Sequence, residues 1–286
     1  MKELSRAQEI DRSIIREFRV SIWNAFTKAV KTYELIQPGD CIAVCVSGGK
    51  DSMLMAKCMQ HFQKYGNIPF ELEFLCMNPG YAEENWNQIQ KNAEILQSPL
   101  RTFQTRIFEV VNKQERHPCY LCARMRRGHL YEAAKNLGCN KIALGHHFDD
   151  VIETILMGML YGSQTQTMMP KLHSANFSGM ELIRPLYFMR EADVIQWAEF
   201  HHLKFIQCAC RMTQEHPEQE TTSKRKETKA LIAQLKKTNP DVEKNIFNSV
   251  YNVNLRTIIS YHDGDEYHHF LDHYADGLPL TGGSKA

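Results

Sequence analysis

One stretch near the start of the chain constrains the fold more than any other. An apolar run from Cys41 to Val46 leads directly into the hexapeptide Ser47-Gly48-Gly49-Lys50-Asp51-Ser52, and helix-forming residues follow from Met53 to Met59. An unbroken apolar run of this kind is typical of a strand that is buried on both faces. The sequence therefore predicts a strand, a glycine turn and a helix in immediate succession.

Such a turn favours the binding of a phosphate group. Gly48 and Gly49 let the backbone fold tightly, so that successive N–H groups and the helix N-terminus point at one anion. Lys50 and the hydroxyl groups of Ser47 and Ser52 add positive charge and hydrogen-bond donors. The spacing differs from that of the Gly-x-x-x-x-Gly-Lys-Ser/Thr phosphate loop. The alternative is a Ser-Gly-Gly turn that merely connects a strand to a helix.

Further strands and helices alternate along the chain. Strands are predicted at Phe70–Met77, Leu100–Ile107 and Lys141–Gly145, and helices at Glu83–Leu96 and Val151–Leu160. Alternation of this kind indicates βαβ units, and hence an α/β, Rossmann-like fold around a parallel sheet. Ligands of such sheets lie at the carboxyl ends of the strands, where the glycine turn also lies.

A second polar motif, His146-His147-Phe148-Asp149-Asp150, follows the strand that ends at Gly145. Carboxylates at a strand end commonly hold the Mg²⁺ that neutralises a triphosphate. Each aspartate would equally serve as a cap for the helix that is predicted to begin at Val151. Both interpretations stay open on the sequence alone.

Composition divides the chain into three segments. Residues 1–37 are predicted to form an amphipathic helical lead-in, because apolar residues recur there at spacings of three and four. Residues 38–212 hold the α/β domain, and residues 213–286 form a helical extension with a mobile tail.

Two helices are predicted in the extension, at Ser223–Lys237 and Asp241–Val250. The second is expected to have Asn239 as its N-cap and Pro240 in its first position. The acidic, histidine-rich sequence from Asp263 onward is expected to be mobile.

Composition also limits where such a protein works. The 286 residues contain no apolar stretch long enough to span a bilayer, and the first residues lack the apolar core of a signal peptide, so we expect a cytoplasmic protein without membrane contact. Nine cysteines in a chain without a secretion signal favour reduced thiols or metal ligands over disulfides. The net charge of +1 leaves nucleic-acid binding open, since a basic surface is often local.

Two basic clusters are candidates for such a surface. They are Arg124-Met125-Arg126-Arg127 and Lys224-Arg225-Lys226 with Lys229. The simpler interpretation of each cluster is a solvated helix face. The first cluster lies close in sequence to Cys119 and Cys122, and both a solvated face and a role in RNA binding stay open there.

Four cysteines form a pattern typical of metal or redox sites. Cys119 and Cys122 have the Cys-x-x-Cys spacing that lets one turn of backbone hold two thiolates on one metal, and Cys208 and Cys210 form a second pair. Structural zinc, a four-iron cluster and a redox-active dithiol are the alternatives. The other cysteines have apolar neighbours and are predicted to be core residues; they are Cys41, Cys45, Cys58, Cys76 and Cys139.

Taken together, the motifs resemble the tRNA 2-thiocytidine synthetase family of the PP-loop superfamily of N-type ATP pyrophosphatases. The resemblance extends from about Ala7 to Arg211, and its motifs are Ser47 to Ser52, Cys119-x-x-Cys122 with Arg126-Arg127-Gly128 and Tyr131, Gly145 to Asp150 with Glu153-Thr154, and Cys208. Lysidine synthetases share the Gly-His-His-x-Asp-Asp block but would not predict the cysteines.

This resemblance implies an ATP-dependent tRNA sulfurtransferase. It would adenylate the C2 carbonyl of an anticodon-loop cytidine and replace its oxygen with sulfur, releasing AMP and pyrophosphate. Lys50, Asp51, Cys119 and Cys122 are the implied catalytic residues. The implied ATP-binding residues are Ser47, Gly48, Gly49, Lys50, Asp51, Ser52, Met77, Gly145 and His146, and the implied Mg²⁺ ligands are Asp51, Asp149 and Asp150.

The resemblance also implies a [4Fe-4S] cluster with one open iron, whose sulfide attacks C2. Its ligands would be Cys119, Cys122 and either Cys208 or Cys210, because the family commonly has Cys-x-x-Cys where this chain has Cys-x-Cys. The expected RNA contacts are Arg124, Arg126 and Arg127.

The expected partners are tRNA and a sulfur donor, either a cysteine desulfurase or free sulfide. Assembly of the protein as a homodimer is left open. One alternative is a PP-loop adenylating sulfurtransferase or ligase that acts on uridine or a small metabolite. Another is a zinc-stabilised RNA-binding protein without activity. The intact segment from Ser47 to Ser52 argues against the RNA-binding protein without activity, because such a protein has no use for a phosphate-binding turn.

Overall fold

A six-stranded sheet forms the centre of the protein in a computed structural model that describes residues 4–111, 118–206 and 224–276. Its strands are β1 (Cys41–Cys45), β2 (Glu71–Asn78), β3 (Leu100–Gln104), β4 (Lys141–Ala143), β5 (Lys171–His173) and β6 (Glu181–Ile183). The strand order is β3-β2-β1-β4-β6-β5, and all neighbours are parallel except β5 and β6. The predicted α/β fold with a Rossmann-like parallel sheet is confirmed.

Helices cover both faces of this sheet. They are α1 (Arg6–Ile15), α2 (Asn24–Thr32), α3 (Lys50–Tyr65), α4 (Glu83–Ile95), α5 (Ile107–Val111), α6 (Pro118–Asn136), α7 (Phe148–Gly162), α8 (Glu191–Phe200), α9 (Lys224–Thr238) and α10 (Val242–Ser249). A π-helical turn, Arg19–Trp23, joins α1 to α2, and a separate hairpin of β7 (Ser260–Asp263) and β8 (Glu266–His269) follows α10.

Alternate residues of β1 enter two different hydrophobic clusters. Ile42 and Val44 pack in the larger cluster, with α1, α2, α3 and α8, whereas Ala43 and Cys45 pack in the smaller one, with α6. This alternation follows from the two-residue period of a strand. It explains why the run had to be apolar throughout, since neither face of β1 meets water.

The lead-in and the extension both contribute to the larger cluster. Ile14 and Phe26 from the lead-in are fully buried there. Ile232 on α9 and Phe247 on α10 are also buried in this cluster, with 4% and 6% of their surfaces exposed. Helices α9 and α10 therefore lie against the α/β core rather than apart from it.

The chain reverses its direction of strand addition between β1 and β4. Strands β2 and β3 are added on one side of β1, and β4 and β6 on the other. The crevice at the carboxyl ends of strands at such a switch point is the usual ligand site of an open α/β sheet. The glycine turn after β1 and the His146 to Asp150 segment after β4 both lie at this edge.

Several element boundaries differ from the predictions. Strand β3 ends at Gln104 rather than Ile107, because Ile107 begins the short helix α5. Helix α7 begins at Phe148 rather than Val151.

The extension differs in two further respects. Asp241, not Asn239, is the N-cap of α10, and the Asn239 side chain instead accepts a hydrogen bond from the Asp241 backbone N at 3.1 Å. A mobile tail is predicted from Asp263, but regular structure continues through β8 to a 3₁₀ segment, Phe270–Asp276. Within the described ranges, no helix is long and apolar enough to cross a membrane.

Candidate active site

The glycine turn connects the carboxyl end of β1 to the first turn of α3. Gly48 has a φ angle of +87°, in the left-handed region that favours glycine. Its surroundings are also tight, because a Cβ atom there would lie 2.5 Å from Cγ1 of Ile89 and 2.9 Å from Cδ1 of Ile206. Gly49 caps α3 without a side-chain hydrogen bond. The first amide groups of α3 are therefore available to an anion.

Two serine side chains hold the turn in shape. Ser52 Oγ accepts a hydrogen bond from the Ser47 backbone N at 3.1 Å, lies 3.2 Å from Ser47 Oγ, and donates to the Gly49 carbonyl O at 3.0 Å. Gly145, just beyond β4, lies against the same turn, since a Cβ atom there would be 3.0 Å from the Ser52 backbone N. The two strand ends that the sequence analysis singled out are thus in direct contact.

Lys50 faces acidic side chains at the mouth of this turn. Its Nζ lies 3.2 Å from Asp51 Oδ2 and 3.3 Å from Glu191 Oε1 at the start of α8. Glu191 also contacts Lys229 of α9. Burial acts to raise the pKa of Glu191, but Lys229 and Lys50 lower it below its usual value.

Asp149 and Asp150 occupy the first turn of α7. His147 is the N-cap of that helix, and it forms a capping box in which its backbone N donates to Asp150 Oδ2 at 3.0 Å and its Nδ1 accepts from the Asp150 backbone N at 3.4 Å. Burial acts to raise the pKa of Asp150, but the neighbouring His147 lowers it below its usual value. Asp150 therefore takes part in capping α7, one of the two roles that its sequence position predicts.

Protein donors contact both carboxylate groups. Asp149 Oδ1 accepts from Arg190 at 3.0 Å, and its Oδ2 accepts from the Glu191 backbone N at 2.7 Å. Asp150 Oδ1 accepts from Arg225 at 2.6 Å. A metal ion at either aspartate would therefore share the carboxylate group with an arginine or replace it.

Asp51 offers a different environment for a cation. Its Oδ1 is buried without a hydrogen-bond partner and lies 3.7 Å from His147 Nε2. A buried acceptor of this kind fits a magnesium ligand, because an unsatisfied carboxylate oxygen is costly to bury. Among the described residues, no three His, Cys, Asp or Glu side chains are grouped closely enough to form a complete metal site.

His146 and Met77 lie at the ends of the two strands that flank β1, His146 just after β4 and Met77 in β2. His146 is near Arg184, whose Nε donates to His146 Nδ1 at 3.4 Å, and burial together with this guanidinium lowers the pKa of His146 to about 4. Met77 is buried with Ile107 and Val111 on the other side of the glycine turn. Both residues are implied ATP contacts and stay predictions.

Cys122 packs against a small buried cluster of Met77, Ile107 and Val111. Its position in the second turn of α6 is three residues after Cys119. Positions three apart on a helix lie on the same side. The Cys119 side chain and the residues Cys208 and Cys210 lie outside the described part of the structure, so the ligand set stays a prediction.

The other cysteines lie in the core, as predicted, with one exception. Cys45, Cys58, Cys76 and Cys139 are buried, whereas Cys41 is half-buried with its Sγ 3.1 Å from Cys139 Sγ. Burial raises the pKa of both Cys45 and Cys76 to about 12, which keeps these thiols protonated and unreactive.

The three predicted RNA-binding arginines are in different environments. Arg124 and Arg127 are exposed on α6, whereas Arg126 is half-buried and donates to the Tyr81 hydroxyl at 2.9 Å. That hydroxyl in turn donates to the Ser47 carbonyl O at 3.4 Å. Arg126 and Tyr81 therefore link the cysteine-bearing helix to the glycine turn.

Sequence reasoning missed four residues of this site. Tyr81, Arg184, Arg190 and Glu191 are far from the motifs in sequence, but each contacts a motif residue. A signal was available for the last two, because Arg190-Glu191 opens α8 directly after a mostly apolar segment, residues 182–189. The position of β6 next to β4 brings that helix start to the site.

Comparisons with known proteins agree with this architecture. A model of the PP-loop domain family matches residues 20–215. A solved structure of the U34-tRNA thiolase NcsA from Methanococcus maripaludis with its [4Fe-4S] cluster is similar in fold, with a TM-score of 0.63 and 22% identity over 80% of this chain and 77% of that one.

Curated relatives are closer in sequence. A tRNA-cytidine(32) 2-sulfurtransferase of Vibrio campbellii is 34% identical over 83% of this chain and 77% of its own length. Another of that name from Anaeromyxobacter dehalogenans is 31% identical over 87% of this chain and 82% of its own. The chain belongs to the PP-loop domain family and, within it, to the family of the tRNA-cytidine(32) 2-sulfurtransferases.

Proposed function

We propose that this protein is a tRNA sulfurtransferase that uses ATP to convert an anticodon-loop cytidine to 2-thiocytidine. Family membership supports the enzyme class, and the names of the curated relatives specify cytidine 32. The observation that carries the proposal is the contact between α6, the helix that bears Cys122, and the glycine turn. Arg126, four residues after Cys122, reaches the glycine turn through Tyr81.

The glycine turn suits the activating half of the reaction. The C2 carbonyl of cytosine is a poor electrophile, because its oxygen is difficult to expel. Attack of that oxygen on the α-phosphorus of ATP releases pyrophosphate and turns the oxygen into part of an AMP leaving group. Lys50 and the first amides of α3 stabilise the negative charge on the phosphates, mostly by position and electrostatics. Mg²⁺ at Asp51 would add to this neutralisation.

The cysteine set suits the sulfur half. A [4Fe-4S] cluster held by Cys119, Cys122 and either Cys208 or Cys210 would supply sulfide when bound. Attack of the sulfur nucleophile on C2 expels AMP and leaves the thiocarbonyl. The exposed side chains of Arg124 and Arg127 on the same helix are suited to the phosphates of a single-stranded RNA loop. The sulfur donor and a homodimer stay predictions.

Nucleoside analysis of bulk tRNA tests the substrate and the sulfur chemistry together. Cells that lack the gene should lose 2-thiocytidine, and expression of the wild-type chain should restore it. Lys50→Gln should not restore it, whereas Lys64→Gln, an exposed lysine on the same helix, should. Restoration by Lys50→Gln would rule out the assigned ATP role. If the cells lose a thiolated uridine instead of 2-thiocytidine, the substrate of the enzyme is uridine and the assignment to cytidine is wrong.

The metal content of the anaerobically purified protein tests the cluster separately. Iron and acid-labile sulfide with visible absorbance are expected, and Cys122→Ser should lose both while it keeps ATP binding. A colourless wild-type protein with one tightly bound zinc would contradict the cluster and favour a zinc-stabilised RNA-binding protein.

A further inference from the structure

Two cations of the basic cluster at the start of α9 contact acidic residues of the candidate site. Arg225 and Lys229 are four residues apart, and therefore on one side of the helix. Both contact acidic residues around the glycine turn, Arg225 at α7 and Lys229 at the start of α8. Nothing in the proposed function so far uses these two cations.

Lys229 and Lys50 converge on one carboxylate group. Lys50 Nζ lies 3.3 Å from Glu191 Oε1, and Lys229 contacts Glu191 Oε2. The two lysines come from different elements, one from the helix after the glycine turn and one from the extension. The Glu191 carboxylate thus lies between two ammonium groups and beside a helix N-terminus. A phosphate group would suit the same position.

Arg225 has a similar position beside α7. Its Nη1 lies 2.6 Å from Asp150 Oδ1 and 3.2 Å from Glu153 Oε2. These contacts neutralise carboxylates that stand next to the expected magnesium position. A Mg²⁺ ion at the carboxylates would make this neutralisation unnecessary and release the guanidinium toward the triphosphate.

The ion pairs are not needed to attach α9. Thr228 and Ile232 are 1% and 4% exposed, so the helix is already anchored by its buried side. The side chains of Arg225 and Lys229 are 43% and 56% exposed, whereas their partners Asp150, Glu153 and Glu191 are 18%, 7% and 22% exposed. The cationic ends of α9 therefore stay within reach of a ligand, at a site where the carboxylates are mostly covered by protein.

We propose that Arg225 and Lys229 bind the phosphates of ATP, so that α9 forms the wall of the nucleotide site opposite the glycine turn. This inference rests on the proposed ATP-dependent function. The contacts to Asp150, Glu153 and Glu191 are then the arrangement without nucleotide. Binding of Mg-ATP exchanges carboxylate partners for phosphate partners at both cations.

Calorimetric titration with Mg-ATP tests the assignment. The variants are Lys229→Gln and Arg225→Gln, with Lys50→Gln as the reference for the glycine turn and Lys237→Gln, an exposed lysine of α9, as the matched control. Loss of a charged phosphate contact should raise the Kd for ATP about tenfold at Lys229 and at Arg225. Lys237→Gln should bind ATP as the wild type does. Thermal unfolding without nucleotide should be the same in all five proteins to within a few degrees.

The outcomes separate the two proposals. If Lys50→Gln weakens ATP binding while Lys229→Gln and Arg225→Gln behave as the control does, the role of α9 is overturned and the proposed function stands. If the wild type does not bind ATP, or Lys50→Gln binds it unchanged, the proposed function falls as well. If a variant of α9 unfolds at a clearly lower temperature, Lys229→Arg, which keeps the charge, must restore ATP binding for the inference to hold.

Discussion

Gly48→Ala is the most direct test of how the glycine turn is built. An alanine there must keep a φ angle of +87° and place its Cβ atom 2.5 Å from Ile89 Cγ1 and 2.9 Å from Ile206 Cδ1. Both contacts are well inside van der Waals distance, so the Ile89 and Ile206 side chains or the turn must move. A movement of the turn would shift the amide groups of the proposed ATP site.

Two terms contribute to the expected loss of stability. The left-handed conformation costs an alanine about 1–2 kcal/mol, and overpacking of a tight site costs about 1–3 kcal/mol more. We expect the free energy of unfolding, measured by urea titration, to fall by about 2–5 kcal/mol, the sum of these two terms.

Gly138 provides the matched control. Its φ angle is +78°, but a Cβ atom there would have nothing within 4 Å. Gly138→Ala should therefore lose only the conformational term, about 1–2 kcal/mol. The double variant Gly48→Ala with Ile89→Ala should relieve the close contact with Ile89. It should keep the full cost of the left-handed conformation at residue 48. Equal losses for Gly48→Ala and Gly138→Ala would refute the close packing of the turn against α4.

Two further predictions concern buried charge. Lys141 Nζ lies 2.8 Å from Asp40 and 3.2 Å from Glu181 with only 4% of the side chain exposed, so Lys141→Met should lower the free energy of unfolding by about 3–5 kcal/mol, against little change for the more exposed Lys171→Met. The pKa of His146 is lowered to about 4 in the folded protein, whereas its usual value in an unfolded chain is about 6.5. Between these two pH values the unfolded chain binds a proton that the folded protein does not bind, so acidification through this window destabilises the protein. His146→Asn should lose less stability than the wild type in urea titrations across that window, and an unchanged pH dependence would contradict the burial of a neutral imidazole.

The fold and the location of the site were predictable from local sequence. The run from Cys41 to Val46 is apolar at every position, which predicts a strand buried on both faces. Gly48 follows it and predicts a tight turn, because such a turn needs a left-handed backbone conformation that only glycine adopts easily. The second motif follows another short apolar strand. Parallel strands present their carboxyl ends at one edge, which brings the two motifs together.

The roles of individual charges were not predictable in this way. Asp149 and Asp150 were equally suited to a metal or to a helix cap, and the structure gives Asp150 the capping interaction with His147 and an ion pair with Arg225. Local sequence does not encode that ion pair, because the two residues are 75 positions apart and meet only through the packing of α9.

A strand, a turn and a helix around a candidate anion site follow from local sequence, because backbone preferences and apolar periodicity act over a few residues. Which cations surround that candidate site depends on how the whole elements pack. Lys50 and Lys229 share Glu191 because sheet order places β6 beside β4 and buried residues of α9 hold that helix against the core. Contacts of this kind depend on the arrangement of whole elements, which no short stretch of sequence specifies.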